Sequence, residues 1–366
     1  MNPYKIFAIN LGSTSTKIAY YEDDECVIKK SIAHSHEELV SAKSVFDQYD
    51  FRLRDIENFM KESGIVEAEL DAFVSRGGPT SPVEGGTYII EEPMLDEIRS
   101  GKYGIHPCSL GCQIVYDMTR GTDVLPLTVD TPGTCEFDPL AFYSGMPDLP
   151  RVPAYQALNN RAMARAYAES IGKKYEDLNL LVCTLGGGIT TTAHRKGFMV
   201  DAQDGITGDG CFSNNRCNAV PVGALVDMCY SGEYTKDEMI AKVNGKAGLM
   251  GYLGVMDVQT IEKEALAGNE KYAEVLAAMC YQISKDIGAY ATVLKGEVDA
   301  ILLIGGMAHS KLITKMISER VGFIAPIVIM AGEREMESLC LNAYRALKKE
   351  IPIKHFLEGK VHVPQF

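Results

Sequence analysis

The sequence predicts an α/β protein built from two copies of one unit, each of which opens with a β-hairpin. Three pairs of similar segments occur in the same order in the two halves of the 366-residue chain. Between the strands, apolar residues recur at three- and four-residue intervals, which is typical of amphipathic or buried helices. We therefore expect one sheet in each half and a ligand cleft between the halves.

The first pair of segments is a hairpin with a small polar turn. The stretch FAINLGSTSTKIAYY (7–21) aligns without a gap on LVCTLGGGITTTAHR (181–195), which begins 174 positions later. In this alignment Gly12 meets Gly186 and Thr16 meets Thr190. Apolar runs on both sides of a glycine-containing turn predict strand, turn and strand in each copy.

The second and third pairs are single strands that end in turns. LDAFVSRGG (70–78) aligns with VDAILLIGG (298–306), and both enter the strand through Asp-Ala and leave it through Gly-Gly. PLTVDTPG (126–133) resembles PIVIMAGE (326–333) more weakly. Three matches in one order favour an internal duplication over a chance likeness between α/β segments.

Helices are predicted where the apolar spacing changes. The segments 44–64, 161–172 and 269–296 carry apolar residues at helical intervals, and each ends at a glycine. Glycine just past the last apolar position is a common helix stop. The third segment is long and apolar, so we expect it to be buried.

Composition and charge narrow the class of protein. A net charge of −13 argues against a nucleic-acid partner, which normally meets a basic face. The chain has no apolar run of about 18 residues, so we expect no membrane span. Its start lacks the apolar core of a signal peptide, and none of its ten cysteines forms a Cys-x-x-Cys pair. These features favour a cytoplasmic protein with reduced thiols.

The two hairpin turns are candidate phosphate sites. A tight turn can direct consecutive backbone N–H groups at one anion, and glycine lets the backbone approach it closely. Ser13 and Thr14 add hydroxyl donors, and Lys17 adds a positive charge. The pattern is neither a Walker motif nor a dinucleotide fingerprint, because the triplet Gly186–Gly188 precedes a strand. The alternative is a hairpin with a merely polar tip.

The chain resembles the butyrate kinases, including the branched-chain carboxylic acid kinases, of the acetate and sugar kinase/actin superfamily. The resemblance covers nearly the whole chain. The motifs that carry it are INLGSTSTKIA, SRGG followed by PVEGGTY, LGGGITTTAHRKG, PVGALVDMCYSGEYT, GLMGYLGVMD, YQISKDIGAYATVLKGEVDAILLIGG and FIAPIVIMAGEREMESL.

The resemblance implies two ribonuclease-H-like domains of the actin-like ATPase type with ATP between them. Residues 1–153, completed by 350–366, would form the carboxylate side, and 154–349 the nucleotide side. It implies reversible phosphoryl transfer between ATP and a short-chain or branched, butyrate-like carboxylic acid, giving acyl phosphate and ADP. It also implies Mg²⁺ and a homodimer or larger homo-oligomer, with no nucleic-acid or membrane partner.

Site residues follow from matching the family motifs position by position. The resemblance implies three catalytic residues, Arg76, Asp130 and Arg216. It implies a nucleotide and phosphate set of Asn10, Gly12, Ser13, Thr14, Lys17, Thr184, Gly186, Gly187, Gly188, Gly305 and Gly306. Asn10, Asp130 and Glu333 would hold Mg²⁺, directly or through water. Arginines and a cation suit a transferring phosphoryl group, whose negative charge spreads over its equatorial oxygens.

The sequence departs from the family pattern at the expected site. Gln156 and Thr184 stand where the family has histidines, and Leu11 replaces a proline in the first turn. Neither Gln156 nor Thr184 can carry a positive charge. A nucleotide-binding relative with an altered substrate or without kinase activity is therefore the alternative function.

Several singled-out residues also have plain structural explanations. Arg76 fits an ordinary strand-end arginine, Arg216 a solvated loop residue and Glu333 an exposed turn residue. Asp130 equally fits a turn cap before Thr131-Pro132, and Asp257 fits a helix cap better than an adenine contact. The remaining expectations are a surface position for His34 and His36 and a structural role for His106 and His194.

Overall fold

A computed structural model describes residues 2–42, 44–205 and 208–365, except the side chains of residues 36, 40 and 41. The chain forms two compact units. Unit 1 comprises Met1–Cys135, Ala157–Asn159 and Arg334–Pro364, and unit 2 comprises Glu136–Gln156, Asn160–Glu333 and Gln365–Phe366. All ten cysteines are free thiols. Within the described ranges, no helix is long and apolar enough to cross a membrane.

The strands are two to nine residues long. They are β1 (Lys5–Leu11), β2 (Ser15–Glu22), β3 (Glu25–Ala33), β4 (Ala72–Arg76), β5 (Thr87–Ile89), β6 (Leu125–Val129), β7 (Asn179–Leu185), β8 (Ile189–Arg195), β9 (Phe198–Ala202), β10 (Ala300–Gly305), β11 (Ile327–Ala331) and β12 (Ile353–Lys354).

The helices range in length from six residues to 24 residues. They are α1 (His36–Ser41), α2 (Tyr49–Glu62), α3 (Glu92–Ser100), α4 (Cys108–Thr119), α5 (Ala157–Ser170), α6 (Val222–Tyr230), α7 (Lys236–Val243), α8 (Gly248–Leu253), α9 (Val258–Leu266), α10 (Glu270–Val293), α11 (Lys311–Val321) and α12 (Glu335–Leu347). The three helices predicted from apolar spacing correspond to α2, α5 and α10.

Both units contain the same arrangement of five strands. In unit 1 the sheet order is β12-β5-β6-β4-β1-β2-β3, and in unit 2 it is β11-β10-β7-β8-β9. In each, a hairpin and a third antiparallel strand adjoin two strands parallel to the first hairpin strand. The three predicted segment pairs are the equivalent strands β1–β2 and β7–β8, β4 and β10, and β6 and β11. The predicted fold class, a duplicated ribonuclease-H-like α/β unit, is confirmed.

Alternating side chains give each sheet two buried faces. In β1, Phe7 and Ile9 belong to one apolar cluster of unit 1, whereas Ile6 and Ala8 belong to another. In unit 2, Leu181 packs in the cluster that contains most of buried α10, and Leu180 packs in the cluster that contains α5 residues. Helices on both faces explain why these strands read as continuous apolar runs.

Helix α12 belongs to unit 1, whereas the sequence prediction ended the second domain at residue 349. Its buried residues Leu339, Cys340 and Ala343 pack in the cluster that contains Ile6 and Val74 of β1 and β4. At the other division, Glu136 accepts hydrogen bonds from Arg161 Nη2 at 2.6 Å and the Met199 amide at 2.8 Å, all within unit 2. Tertiary packing therefore sets both divisions, and local sequence patterns do not report it.

Candidate functional site

The first predicted phosphate turn links β1 to β2 in unit 1. The Gly12 amide donates to the Ser15 carbonyl at 2.8 Å, which closes the turn. The side chains of Ser13 and Thr14 are exposed, and Lys17 pairs with Asn10 across the hairpin. Paired residues of antiparallel strands face the same side of the sheet. The turn thus presents hydroxyl groups to solvent, and its lysine shares a face with Asn10.

Three polar side chains meet in unit 1 near the carboxyl ends of strands β1 and β4. Asn10 Nδ2 donates to Glu335 Oε2 at 2.6 Å, and Arg76 Nη1 lies 3.4 Å from the same oxygen. Glu335 is only 5% exposed and sits in the first turn of α12. The buried carboxylate therefore links the first strand to the predicted arginine. Sequence analysis did not select Glu335.

Arg76 ends β4 and keeps its positive charge beside this carboxylate. Burial opposes the charge, but the Glu335 carboxylate outweighs that effect and the pKa of the guanidinium is raised. Burial in turn raises the pKa of Cys108 to about 11, although Arg76 opposes this shift. At neutral pH this part of the site therefore holds a cationic arginine, and Cys108 is a neutral thiol.

Asp130 follows β6 in a strained conformation. Its φ of 39° lies in the left-handed region, which residues other than glycine rarely adopt. Asp130 Oδ1 accepts from the Gly86 amide at 2.9 Å, and the Asp130 amide donates back to the Gly86 carbonyl at 3.0 Å. Since β4 and β6 are parallel neighbours with Arg76 opposite Val129, Asp130 and Arg76 lie at the carboxyl end of the same sheet. Ligands bind at such edges in α/β proteins.

His106 is occupied by local contacts. The Cys108 amide donates to His106 Nδ1 at 3.2 Å, and Cys108 Sγ lies 3.0 Å from the same nitrogen. These bonds orient the ring at the start of α4. They agree with the structural role expected for His106.

In unit 2, the second predicted turn and the second predicted arginine come together. Arg216 Nη1 donates to the Gly205 carbonyl at 2.6 Å, and its Nε donates to Asn244 Oδ1 at 3.2 Å. A Cβ on Gly188 would lie 2.5 Å from Arg216 Nη1, so a larger residue there would displace the guanidinium from this position. Burial lowers the pKa of Arg216, and Asp204 opposes this shift. Arg216 is therefore a partly buried arginine beside the turn, rather than a fully solvated one.

Gln156 and Thr184, where the sequence departs from the family it resembles, belong to one neutral network in unit 2. Asn160 Nδ2 donates to the Gln156 carbonyl at 2.9 Å and to Thr184 Oγ1 at 3.2 Å. Thr190 Oγ1 donates to Gln156 Oε1 at 2.8 Å. The fully buried Asn160 was not selected from the sequence, and it joins the two substituted positions through uncharged hydrogen bonds.

A cavity of about 500 Å³ lies beside the unit 2 glycine turn. Gly186, Gly187 and Gly306 line it, together with Asp257 and other residues near the start of α9. Gly305 has a φ of 88°, and a Cβ there would lie 2.5 Å from the Leu185 carbonyl oxygen. The cavity volume is within the range of small-molecule sites. The structure thus brings the predicted Gly186, Gly187 and Gly306 to one pocket.

Asp257 is the helix cap that the sequence favoured. Asp257 Oδ2 accepts from the Thr260 amide at 3.0 Å and from Thr260 Oγ1 at 2.6 Å at the start of α9. Because it also lines the cavity, capping and ligand contact are compatible for this residue.

Of the predicted metal residues, Asn10 contacts a carboxylate in the structure, and that carboxylate is Glu335. Glu333 belongs to unit 2 and is exposed. The described residues hold no group of three or more His, Cys, Asp or Glu side chains placed to bind a metal. The predicted role of Glu333 stays a prediction.

Part of the chain matches a known family. Residues 159–325, which are less than half of the chain, match the sequence model of the Acetokinase family. This segment lies almost wholly in unit 2 and includes Thr184, Arg216 and Gly305.

Three of the solved structures similar to most of the chain are two acetate kinases and a propionate kinase. Acetate kinase from Porphyromonas gingivalis has a TM-score of 0.76 and 15% identity, over 94% of this chain and 100% of that one. Acetate kinase from Entamoeba histolytica has a TM-score of 0.75 and 15% identity, over 92% and 97%. A propionate kinase from Francisella tularensis subsp. tularensis SCHU S4 has a TM-score of 0.71 and 16% identity, over 93% and 98%. At this identity the likeness establishes a shared fold, that of the acetate kinases.

Proposed function

We propose that this protein is an ATP-dependent carboxylate kinase that acts on a short-chain or branched, butyrate-like acid. An oxygen of the carboxylate would attack the γ-phosphorus, the bond to the β–γ bridging oxygen would break, and acyl phosphate and ADP would form reversibly. The observation that carries the proposal is the cluster of Arg76, Glu335 and Asn10 in unit 1. The Acetokinase match in residues 159–325 supports the same chemistry.

The proposed catalytic residues are Arg76, Asp130 and Arg216. A carboxylate substrate is already ionised at neutral pH, so the reaction needs charge neutralisation and positioning more than a strong base. Arg76 retains its charge although it is largely buried, and arginine can grip a phosphate or carboxylate with two parallel N–H groups. Arg216 lies beside the glycine turn that lines the unit 2 cavity, where we place the nucleotide.

The residues at the unit 1 cluster also fit Mg²⁺. Carboxylate and amide oxygens are hard donors, and protein-bound Mg²⁺ commonly uses one or two carboxylates plus water and substrate phosphate. Glu335 supplies such oxygens and accepts a hydrogen bond from Asn10 Nδ2, and Asp130 follows a strand of the same sheet. Bound Mg²⁺ would supply positive charge to the phosphate oxygens. The chain's own part is to hold Glu335 through Asn10 and Arg76.

A hydroxamate assay over a panel of acids tests the proposal. Purified protein is incubated with ATP, Mg²⁺ and acetate, propionate, butyrate, isobutyrate or isovalerate, and acyl phosphate is trapped with hydroxylamine. Reactions without ATP and with an Arg76→Ala variant serve as controls. We expect turnover with highest kcat/KM for a four- or five-carbon acid. A preference for acetate would remove the butyrate-like assignment, and no turnover with any acid would remove the kinase assignment.

A nucleotide-binding protein without kinase activity is the second candidate, and one observation favours it. Gln156 and Thr184 are uncharged and are bonded to Asn160 and Thr190, so no histidine cation stands at either position. Calorimetric binding of ATP together with a silent acid panel would support this candidate. Turnover of any acid excludes it.

We also propose a cytoplasmic homodimer or larger homo-oligomer, on the strength of the family resemblance. Size-exclusion chromatography with light scattering tests the assembly. A mass that stays at the monomer value of 40.0 kDa across micromolar concentrations would contradict it.

A further inference from the structure

Arg52 is a fully buried arginine that no part of the proposed reaction uses. It lies in α2 of unit 1 with 0% of its surface exposed. Its guanidinium makes five hydrogen bonds, and three of them reach the turn between β1 and β2. A buried arginine normally requires a reason, because removing its charge from water is costly.

The Arg52 guanidinium donates hydrogen bonds to residues at both ends of the turn. Arg52 Nη2 donates to the Gly12 carbonyl at 2.9 Å, and Nη1 donates to the Ser15 carbonyl at 3.3 Å and to Thr16 Oγ1 at 3.0 Å. The two carbonyls stand at the beginning and end of the segment that carries the exposed Ser13 and Thr14. Arg52 therefore fixes both ends of the first phosphate turn to one rigid planar group.

The acceptors around Arg52 solvate its charge without cancelling it. Gln48 Oε1 accepts from Nε at 3.0 Å and from Nη2 at 2.9 Å, and the remaining acceptors are carbonyls and a hydroxyl. Within the described ranges no carboxylate lies within 4.0 Å of Arg52. Burial lowers the pKa of Arg52 to about 10, and Asp55 opposes this shift, so the group is still cationic at neutral pH.

His34 completes the support and adds no second charge. Its Nε2 lies 2.8 Å from Thr16 Oγ1, and its Nδ1 lies 3.7 Å from Asp55 Oδ2. Burial and the nearby Arg52 charge lower the pKa of His34, although Asp55 opposes them. The sequence had placed His34 on the surface, but it is buried against Phe51 at a ring distance of 5.0 Å.

We propose that Arg52 is a positioning residue that holds the Gly12–Thr16 turn in its anion-binding shape and attracts a phosphate group to it. The inference rests on the proposed function for the identity of the ligand, a phosphate of the nucleotide or acyl phosphate. With the Gly12 and Ser15 carbonyls engaged by Arg52, the exposed Ser13 and Thr14 hydroxyl groups are left for an anion on the solvent side of the turn. Among the residues that the structure describes, the positive charge of Arg52 is not cancelled by a carboxylate. Because the guanidinium is buried, salt screens its charge less than that of a surface arginine, so it attracts an anion to the turn.

Titration of pyrophosphate with Mg²⁺ by calorimetry tests this role without any need for turnover. Arg52→Met keeps the apolar stem and removes the charge and the fork, and we expect pyrophosphate affinity to fall by about tenfold or more. Arg52→Lys restores the charge alone and should recover part of the loss. The matched control is Arg54→Met, an exposed residue two positions further along the same helix.

Every outcome decides the question. Wild-type affinity in folded Arg52→Met, or a loss of the same size in Arg54→Met, overturns the proposal, as does a wild-type protein that binds no pyrophosphate. If Arg52→Met does not fold, Arg52→Lys decides, because unchanged affinity there contradicts the positioning role and a reduced one supports it. A protein that binds pyrophosphate but phosphorylates no acid refutes the proposed kinase and leaves the Arg52 inference intact.

Discussion

Arg76 and Arg216 are held in different ways. Arg76 faces the Glu335 carboxylate, whereas Arg216 donates to the Gly205 carbonyl and the Asn244 amide oxygen. A neutral acceptor releases an arginine to a new anion at lower cost than a carboxylate does, because no ion pair has to be broken. Arg216 is therefore the more readily redirected of the two toward a phosphate.

We predict that Arg76→Ala and Arg216→Ala each reduce kcat by about a hundred- to a thousandfold, because each removes a preorganised cationic donor. Hydroxamate kinetics measure the loss, and thermal melts check folding. The exposed Arg99→Ala in α3 is the control and should retain wild-type rates. Near wild-type turnover in either folded variant would show that the phosphoryl site is elsewhere. Unfolding of Arg76→Ala would assign that arginine a structural role.

Glu333, just before α12, and Glu335, the first residue of α12, provide a matched pair of acidic residues. We predict that Glu335→Gln raises the Mg²⁺ concentration needed for half-maximal activity by about tenfold or more, because it removes the charge that Asn10 and Arg76 hold in place. Glu333→Gln should change it little, since Glu333 is exposed. The measurement is a Mg²⁺ titration of the rate with both variants. A larger effect of Glu333→Gln than of Glu335→Gln would instead favour Glu333 as the metal residue.

At the scale of elements, Gly187 and Gly188 in the β7–β8 turn of unit 2 allow two neighbouring substitutions to be compared. A Cβ on Gly188 would lie 2.5 Å from Arg216 Nη1 and 3.1 Å from the Gly205 carbonyl, whereas one on Gly187 would meet nothing within 4 Å. We predict that Gly188→Ala displaces Arg216 and lowers kcat by about tenfold or more, and that Gly187→Ala leaves the Arg216 position unchanged. Steady-state kinetics and melts of both variants check this. If both variants change kcat equally, the effect of Gly188→Ala does not arise from displacement of Arg216.

Local sequence patterns predicted the elements well, because their causes are local. The alternation of Ile6, Phe7, Ala8 and Ile9 between two apolar clusters is the same pattern that reads as a buried strand. The Asp257 cap was visible as an acidic residue three positions before Thr260. Arg76, by contrast, was selected through the family resemblance of its SRGG motif, because the local pattern fits an ordinary strand-end arginine equally well.

The parts of the site that escaped prediction depend on distant contacts. Asn10 and Glu335 are 325 positions apart, and the segment EREMES offers three acidic residues that nothing local distinguishes. Arg52 reads as one of several charged residues on an amphipathic helix, and only folding places it behind the first turn. Asn160 could have been suspected from its position four residues after Gln156, which is one helical turn.

For the whole molecule, a buried histidine predicts how stability depends on pH. His194 is fully buried in unit 2, and its Nδ1 lies 2.7 Å from the Tyr175 hydroxyl. Burial, with a smaller contribution from Arg161, lowers its pKa from 6.5 to about 3. Below pH 6.5 the unfolded chain therefore binds a proton that the folded protein refuses until about pH 3. Stability falls as pH falls through this window.

We predict that His194 alone contributes a loss of up to about 1.4 kcal/mol in unfolding free energy for each pH unit below 6.5. Urea unfolding at pH 7.5, 6.0 and 5.0 measures the slope. His194→Gln should flatten it by nearly one proton. An identical slope in wild type and His194→Gln would mean that the histidine is protonated in the folded protein.

The division of unit 1 into separate stretches of chain affects how the protein is made. A ribosome completes β1 long before α12, whose first residue follows the end of β1 by more than 300 positions. At typical rates of synthesis that interval lasts tens of seconds, during which the face of β1 and β4 that Leu339 and Ala343 later cover lacks α12. Most of unit 2, by contrast, is synthesised as one continuous stretch within that interval. The nascent chain therefore carries an open apolar sheet face until its last helix emerges, and this is the surface on which we expect chaperones to act.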